Sequence, residues 1–293
     1  MSEVKWKNLE KIKGEFMEKN RRILKIGIVL VCVTFALNVV IYRCSELKEP
    51  IFLKHYYELN FYDGMAFRIN YICNKNDMYK VAYVNFGEEL EEYLYISTDD
   101  IKSTVIGNYK LNEIVFTLRN YNGEGIENFL EDNLILGEAE IQFSNGKAMN
   151  VDLGKIILKP KADTSDAIDM YMSSSSNDNT SRCEYRVNET VKIQSIESNE
   201  DDSEILEVTF NGKNIRDIAY PIVLEKGNII NIASKPKLSS NDIRKYDYYD
   251  INKSIKFIDR NGQEQTQRVL DLRYTPYFNY WDMLKVIKSK KQA

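Results

Sequence analysis

Histidine is almost absent from this 293-residue sequence, in which His55 is the only one. A Ser-His-Asp or Cys-His arrangement would have to use that residue, and no G-x-S-x-G motif surrounds a serine nucleophile. The P-loop and the G-x-G-x-x-G motif, which bind nucleotide phosphates, are also missing. We therefore predict a protein that is not an enzyme, with no catalytic residue and no bound cofactor.

Cysteine is scarce as well, with four residues in the chain. Cys32 and Cys44 lie in or beside a long apolar segment, which leaves Cys73 and Cys183 for the rest of the chain. This number excludes a disulfide-rich secreted scaffold, and no C-x-x-C motif indicates a metal or redox site. A Cys73–Cys183 disulfide and two separate thiols are both compatible with the sequence.

Metal-ligand spacing is missing from the acidic clusters. Glu88–Glu92 and Asn199–Glu204 lack the alternating oxygen ligands, the central glycine and the final glutamate of a calcium loop. No pair of carboxylates stands out as the acid and base of a glycoside hydrolase, either. The sequence therefore predicts no metal site, and we interpret both clusters as solvated turns.

Positive charge is deficient in most of the chain. Residues 1–43 carry nine Lys and Arg against four Asp and Glu, whereas residues 44–293 carry 31 against 40. An acidic surface repels the phosphates of nucleic acids, of anionic lipids and of wall polymers. We therefore expect no nucleic acid among the partners.

One long apolar segment is present, Ile23–Tyr42, with the sequence ILKIGIVLVCVTFALNVVIY. As a helix it would reach roughly 30 Å, the thickness of the hydrocarbon core of a bilayer. It is longer than the apolar part of a signal peptide, and no small-residue cleavage site follows it. We predict a transmembrane helix over residues 23–43 that contacts the lipid bilayer, in which Asn38 is available to hydrogen-bond a neighbouring helix.

The charges around this helix predict its direction. Residues 1–25 contain eight Lys and Arg, and few follow the helix. By the positive-inside rule, residues 1–22 form a short basic cytoplasmic segment and the rest of the chain lies outside the cell membrane. No other segment is apolar enough to span, so we predict a single-pass membrane protein with an extracytoplasmic body. The abundance of Lys, Asn and Ile is typical of proteins from AT-rich bacterial genomes.

An internal repeat organises the part that follows the helix. Phe67–Phe86 and Val191–Phe210 align without a gap at an offset of 124 residues, and each reads as two half-buried strands around a polar turn. Asn145-Gly146 and Asn261-Gly262 are strong hairpin signals that follow in the same order. Each repeat unit holds about 90–110 residues of short strands, which is the size of an immunoglobulin-like β-sandwich.

The predicted fold is therefore mainly β, with a single N-terminal transmembrane helix followed by two tandem immunoglobulin-like β-sandwich units. The first unit spans residues 45–160 and the second spans residues 183–276. A polar linker or loop, residues 161–182, separates them, because its run of Ser, Asn, Asp and Thr has too little apolar surface to pack. A basic amphipathic tail, residues 277–293, follows the second unit.

Two groups of aromatic residues are the candidate partner-binding residues. Tyr246, Tyr248 and Tyr249 lie in an irregular stretch, residues 238–250, and tyrosine is favoured in recognition surfaces. Trp281 lies in the basic tail, for which two interpretations are open. The tail is either a helix that touches the outer leaflet or a partner, or a last helix packed on the second unit.

These features predict a membrane-anchored, extracytoplasmic binding or scaffolding protein that is not an enzyme. Its expected partner is another membrane or envelope protein, and no small-molecule substrate is identified. The first alternative is an accessory subunit of a membrane transport or secretion complex, in which Asn38 contacts a neighbouring helix. The other alternative is an envelope enzyme acting on carbohydrate or peptide, which would need a carboxylate pair or a nucleophile in a cleft of the folded body.

Overall fold

The computed structural model describes residues 3–87, 94–120, 133–159, 165–176, 178–197 and 204–292. These residues form two compact units, Met1–Glu49 and Pro50–Ala293. The second unit is the body of the protein.

The first unit contains one continuous helix, α1, which covers Glu3–Ser45. Its segment Asn20–Val40 is long and apolar enough to cross a membrane. The sequence predicts a basic segment, 1–22, and an apolar segment, 23–43, separately, but residues 3–22 and 23–43 belong to the same helix.

The body is mainly β, as the sequence predicts. Its strands form where apolar and polar residues alternate, so that one face is buried, as with Ala139, Ile141 and Phe143 of one strand. The described strands are β1 Ile51–Phe52, β2 His55–Asn60, β3 Ala66–Asn74, β4 Val81–Asn85, β5 Leu94–Ile106, β6 Tyr109–Asn120, β7 Leu134–Phe143, β8 Ala148–Lys159, β9 Ile168–Ser175, β10 Ser181–Val187, β11 Val191–Ile196, β12 Leu206–Phe210, β13 Lys213–Asn214, β14 Ile222–Leu224, β15 Ile229–Pro236, β16 Tyr248–Ile258 and β17 Glu264–Tyr274. One helix follows them, α2, Tyr280–Gln292.

The described strands form three sheets. The first small sheet has the strand order β1-β3-β6-β5, and the second small sheet has the order β13-β12-β15-β10-β9. The central sheet has the order β14-β11-β16-β2-β8-β7-β4, and β17 pairs with β16. Strands from both ends of the body therefore share the central sheet.

The central sheet is continuous because β2 lies between β8 and β16 and is parallel to both. His55 is in register with Gly154 on one side and with Tyr248 on the other. The other strand pairs in the described residues are antiparallel. Strand β2 thus joins the first half of the body, β1–β8, to the second half, β9–β17.

The two halves repeat one connectivity. In the first half, the small sheet is β1-β3-β6-β5, and β4-β7-β8 are neighbours in the central sheet. In the second half, β9-β10-β15-β12 and β11-β16-β17 take the same positions in the same chain order.

This connectivity corrects the repeat that the sequence alignment predicts. The offset of 124 residues matches β3 with β11, but β3 lies in a small sheet and β11 lies in the central sheet. The strand equivalent to β3 is β10, in which Arg182 and Tyr185 correspond to Arg68 and Tyr71 at an offset of 114 residues. The predicted alignment is wrong because alternating apolar residues recur in every half-buried strand and do not identify which strand is which.

The two small sheets cover opposite faces of the central sheet. Tyr249 and Ile251 of β16 belong to a buried core that includes strands of the second small sheet. The opposite face carries His55, whose Nε2 accepts a hydrogen bond from the main-chain N–H of Asn70, in β3, at 3.1 Å. Tyr248 shares the face of His55 because the two residues are in register. The two small sheets therefore lie against opposite faces of the central sheet.

The segment predicted as a polar linker, residues 161–182, contains a strand. β9 covers Ile168–Ser175, and β10 begins at Ser181. β9 is the edge strand of the second small sheet and pairs with β10. The serine run is compatible with a strand here because most of its side chains at this edge face solvent.

The C-terminal tail is a helix packed on the body, which is the second of the two interpretations. Three of its apolar residues are buried, namely Met283, Val286 and Ile287. Tyr280 lies against Gly107 of the β5–β6 turn, where a Cβ atom would come within 2.5 Å of the Tyr280 ring. The Tyr246 hydroxyl, from the second half, donates to Asp282 Oδ1 at 2.5 Å. The helix therefore contacts both halves and not only the second.

Candidate binding pocket on the central sheet

A pocket of about 250 Å³ lies at the junction of the two halves. Its floor is formed by β2, β8 and β16, and its walls by the residues that lead into β12 and by the 3-10 helix Ile243–Tyr246. We call it the junction pocket, and it is the candidate site because each half supplies part of it.

The parallel register of β2 places the floor residues in rows. Lys155, Tyr56 and Tyr249 are directly opposite one another on neighbouring strands, and Ile157 is opposite Glu58 in the next row. Residues two positions apart along a strand share a face, so both rows point in the same direction. The junction pocket thus combines an aromatic pair, an aliphatic side chain and charged groups on one surface.

The rings of Tyr56 and Tyr249 form the aromatic part of the floor. They stack with their centroids 5.2 Å apart and an angle of 12° between their planes. The Tyr249 hydroxyl donates to the main-chain oxygen of Arg244 at 3.1 Å, and the Tyr274 ring meets Tyr249 edge-on at 5.8 Å. Burial raises the pKa of both Tyr56 and Tyr249, so their hydroxyls stay protonated. The rings are therefore fixed surfaces against which another apolar or aromatic group can pack.

Glu58 is a buried carboxylate in the floor. Its Oε2 accepts a hydrogen bond from Lys159 Nζ at 3.1 Å, and the same ammonium group lies 3.5 Å from Glu197 Oε2. Burial alone would lower the pKa of Lys159, but the charges of Glu58 and Glu197 outweigh it and raise that pKa. The Asn252 side-chain amide donates to the main-chain oxygen of Glu58. Glu58 is thus held in an ion pair, which suits a structural carboxylate better than an acid or base that exchanges protons.

Arg244 forms a charged wall of the junction pocket. Its guanidinium group contacts Glu204 at 2.7 Å and Asp242 at 2.9 Å. Asp242 also accepts the main-chain N–H of Arg244 at 2.9 Å and so caps the 3-10 helix. Hydrogen bonds to Asp242 and Glu204 raise the pKa of Arg244. Because its charge is already balanced, this wall shapes the pocket more than it attracts anions.

His55 lies on the other face of β2, away from the junction pocket. It is completely buried, with its ring stacked on Tyr248 at 5.0 Å and edge-on to Tyr57 at 5.3 Å. Burial lowers the pKa of His55 to about 3, although the hydrogen bond to Asn70 opposes this shift. At neutral pH this histidine is an uncharged core residue.

The tyrosines predicted to form a binding loop are buried. Tyr246, Tyr248 and Tyr249 are 4, 6 and 1% exposed. The stretch predicted as irregular, residues 238–250, contains a 3-10 helix and the start of β16 at Tyr248. The premise of an exposed loop is therefore wrong, and Tyr249 alone of the three lines the junction pocket.

The other two predicted partner-binding residues are accessible. Trp281 is 70% exposed on α2, and Asn38 is exposed on α1. Their binding roles stay predictions. The sequence does not predict Tyr56, Glu58 or Arg244 as binding residues, because the pocket that they line forms only through the long-range pairing of β2.

The remaining chemical features of the sequence contribute no site where the structure describes them. In that part of the chain, no group of His, Cys, Asp and Glu could hold a metal ion. Glu88–Glu92, and residues 199–203 of the other acidic cluster, lie outside the described residues. Cys73 and Cys183 are buried and are not joined by a disulfide, and Asn112 Nδ2 donates to the Cys73 sulfur at 3.1 Å.

No protein-family model matches the chain, and no curated protein is significantly similar to it in sequence.

Proposed function

We propose that the protein is a membrane-anchored binding protein without catalytic activity, whose junction pocket receives an apolar or aromatic side chain of a membrane or envelope protein. In this proposal α1 crosses the cell membrane, with the N-terminus in the cytoplasm and the body outside. The observation that carries the proposal is the junction pocket, where fixed tyrosine rings form the floor and the ionisable groups of Glu58 and Arg244 are already paired.

The size of the junction pocket favours a side chain over a small molecule. Its volume of about 250 Å³ is below the roughly 300–1,000 Å³ of typical small-molecule sites. Interface hot spots are often single large side chains inserted into such pockets and surrounded by polar contacts. Here the polar surroundings are the exposed Lys155 and the Arg244–Glu204 pair. The envelope-enzyme alternative receives less support, because its carboxylate would have to exchange protons, whereas Glu58 is paired with Lys159.

We further propose that each half of the body is an immunoglobulin-like β-sandwich. A constant-type immunoglobulin domain has one sheet of order A-B-E-D and another of order C-F-G. In the first half, β1-β3-β6-β5 with β4-β7-β8 matches these orders, and β9-β10-β15-β12 with β11-β16-β17 matches them in the second. The match supports two tandem units fused through the central sheet, the second of which would include β9.

The binding proposal predicts that a photo-crosslinker at Lys155 captures a partner protein in cells. Lys155 is exposed at the rim of the junction pocket, so a side chain inserted into the pocket lies within reach. The adduct should disappear when Ile157→Glu places a charge on the floor, because the inserted side chain would bury that charge without a partner. Mass spectrometry of the adducts provides the readout.

The matched control for this experiment is a crosslinker at Lys213, which is exposed on β13. It should not give the adduct that Lys155 gives. An adduct that persists in the Ile157→Glu variant, or that forms equally from Lys213, would count against the junction pocket as the binding site. Circular dichroism of the purified variant checks that its fold is unchanged.

Asn38 favours a second candidate function, an accessory subunit of a membrane transport or secretion complex. The Thr34 hydroxyl donates to the main-chain oxygens of Leu30 and Val31, at 3.0 and 2.9 Å, and is therefore satisfied within its own helix. Within the described residues, the side chain of Asn38 makes no hydrogen bond. An unsatisfied amide in hydrocarbon is costly, and such side chains often hydrogen-bond a neighbouring helix.

Asn38→Leu should therefore weaken association with a neighbouring membrane protein. An interhelical hydrogen bond is worth about 0.6–2 kcal/mol, so association should fall roughly three- to thirty-fold. Thr34→Val is the matched control, since it removes a hydroxyl that is satisfied within α1. Co-purification in mild detergent measures the effect, and equal recovery of partners with Asn38→Leu and with the wild type would contradict this second function.

A further inference from the structure

A second pocket, of about 540 Å³, lies beneath the turn between β3 and β4 at the end of the first small sheet. Four of the residues that line it are lysines, namely Lys75, Lys80, Lys102 and Lys110. Asp77 is the carboxylate among the lining residues. We call this the basic pocket, and it belongs to the first half of the body.

The pairing of β3, β5 and β6 brings the lysines together. Lys110 is opposite Cys73, near the end of β3. The chain then continues into the turn, where the main-chain N–H of Lys75 donates to the main-chain oxygen of Asn108 at 2.8 Å. Lys102 comes from β5, the neighbour of β6. The pairing of these strands therefore brings the four lysines to one pocket.

The Asp77 side chain is engaged within the turn. Its Oδ2 accepts the main-chain N–H of Asn74 at 2.9 Å and the hydroxyl of Tyr79 at 3.0 Å. Lys110 Nζ donates to the main-chain oxygen of Asp77 at 2.5 Å and ties the turn to β6. The turn is thus held over the pocket, and its carboxylate is oriented towards its own backbone.

The floor of the basic pocket is buried and polar. Tyr71 and Asn112 are both buried there. Asn112 Nδ2 donates to the sulfur of Cys73 at 3.1 Å, and Asn112 Oδ1 accepts the hydroxyl hydrogen of Ser103 at 2.5 Å. These contacts fix the floor before any ligand arrives, which lowers the entropic cost of binding.

Two of the four lysines that line the basic pocket have no ion-pair partner among the described residues. Neither Lys75 nor Lys102 forms a salt bridge with a described carboxylate. Glu113 is opposite Lys102 on β6, but its carboxylate contacts Arg68 Nε at 3.4 Å. Clustered ammonium groups repel one another, and a bound anion relieves that repulsion. An excess of basic residues does not explain this cluster, because residues 44–293 carry 31 basic and 40 acidic side chains.

We propose that the basic pocket binds a phosphate-bearing anion. A phosphate group offers several acceptor oxygens and up to two negative charges, which match the ammonium groups of the lysines that line the pocket. The volume lies within the roughly 300–1,000 Å³ of small-molecule sites, so a phosphate with an attached organic group fits. Such a group reaches the body as a soluble phosphate ester or as a phospholipid headgroup. This proposal is independent of the junction pocket.

The test uses the full chain in nanodiscs of phosphatidylcholine, with glycerol 3-phosphate as the soluble probe. Calorimetric titration at low salt should show saturable binding that weakens as the salt concentration rises. The double variant Lys75→Gln, Lys102→Gln should bind about tenfold more weakly or worse, because two charge-assisted contacts are removed.

A second arm replaces part of the phosphatidylcholine by phosphatidylglycerol. If the headgroup is the ligand, the anionic nanodiscs should raise the melting temperature of the wild-type body and not that of the double variant, because a ligand stabilises only the state that binds it. Loss of either response in the double variant supports the proposal, and the arm that responds identifies the source of the phosphate.

The matched control is the double variant Lys213→Gln, Lys226→Gln, which changes two exposed lysines of the second half. It should respond as the wild type does. The proposal is overturned if neither probe gives a response, if the Lys75 and Lys102 variant responds as the wild type does, or if the control loses the response equally. All four lysines are exposed, so unchanged circular dichroism is expected for both variants.

Discussion

Replacing Gly154 by alanine is expected to destabilise the body by about 3–5 kcal/mol. Gly154 lies in β8 with a φ of +97°, a backbone conformation that residues with side chains rarely adopt. A Cβ atom there would lie 2.5 Å from the main-chain oxygen of His55 and 2.8 Å from its main-chain nitrogen. Both atoms belong to β2, which is paired along both edges, so neither can move aside without breaking strand pairs.

Gly146→Ala is the matched control for this prediction. Gly146 lies in the turn between β7 and β8 with a φ of +79°, and nothing lies within 4 Å of a Cβ atom there. The Gly146→Ala variant should lose only about 1 kcal/mol of the free energy of unfolding, because alanine is strained at a positive φ. Urea unfolding of the full chain in mild detergent measures both losses. Losses of similar size would mean that the strands at His55 accommodate a methyl group, which contradicts their close approach.

The close approach at Gly154 has a consequence for the junction pocket. Tyr56 and Glu58 reach the floor of the pocket because β2 lies in register between β8 and β16. A glycine opposite His55 lets the backbones of β2 and β8 come together at the start of that register. The pocket therefore depends on a residue that contributes no side chain to it.

Local features of the body could be predicted from the sequence. Asn145-Gly146 and Asn261-Gly262 form the turns from β7 to β8 and from β16 to β17, and both glycines have a φ of +79°. Turn residues and strand alternation act within a few positions of the chain, so a single sequence reveals them. The apolar segment of α1 is readable for the same reason.

The position of β2 could not be predicted. Its sequence, HYYELN, contains nothing that indicates parallel partners on both edges. Those partners, β8 and β16, are distant along the chain, so the pairing depends on how the whole body packs. The rows of side chains in the junction pocket exist only in this register, and for that reason the sequence did not reveal the pocket.

Amino-acid composition predicts neither the burial of the tyrosines nor the presence of the basic pocket. A tyrosine can be buried when its hydroxyl has a partner, as Tyr246 has in Asp282, so an abundance of tyrosine does not indicate a binding loop. An acidic total likewise conceals a local cluster such as that around Lys75 and Lys102, because only the pairing of strands brings these side chains to one pocket.

A fall in pH from 7 to 5 is expected to lower the free energy of unfolding by about 2 kcal/mol through His55. This residue is completely buried, and burial lowers its pKa from 6.5 to about 3. Between these two pH values, the unfolded chain binds a proton at His55 that the folded body does not bind. The stability that the uncharged His55 contributes is therefore lost progressively as the pH falls below 6.5.

Asp247 opposes the effect of His55. Burial raises the pKa of Asp247 from 3.8 to about 6, although Lys290 and Lys54 lower it in part. Between these values the folded body holds a proton that the unfolded chain releases, so stability rises by about 1 kcal/mol as the pH falls from 7 to 5. The wild type should thus show a net loss of only about 1 kcal/mol from these two groups.

Two variants separate the contributions of His55 and Asp247. Asp247→Asn removes the opposing titration, so between pH 7 and 5 it should lose about 1 kcal/mol more than the wild type does. His55→Gln does not titrate, and its amide oxygen can accept the Asn70 N–H that now bonds to His55 Nε2 at 3.1 Å. Between pH 7 and 5 the free energy of unfolding of this variant should therefore rise by about 1 kcal/mol, whereas that of the wild type falls by about 1 kcal/mol. Urea unfolding of the three full-length proteins in mild detergent at each pH measures these differences. If the free energy of unfolding depended on pH equally in all three proteins, the prediction would be contradicted. Equal dependence would mean that His55 and Asp247 have the same pKa in the folded body as in the unfolded chain.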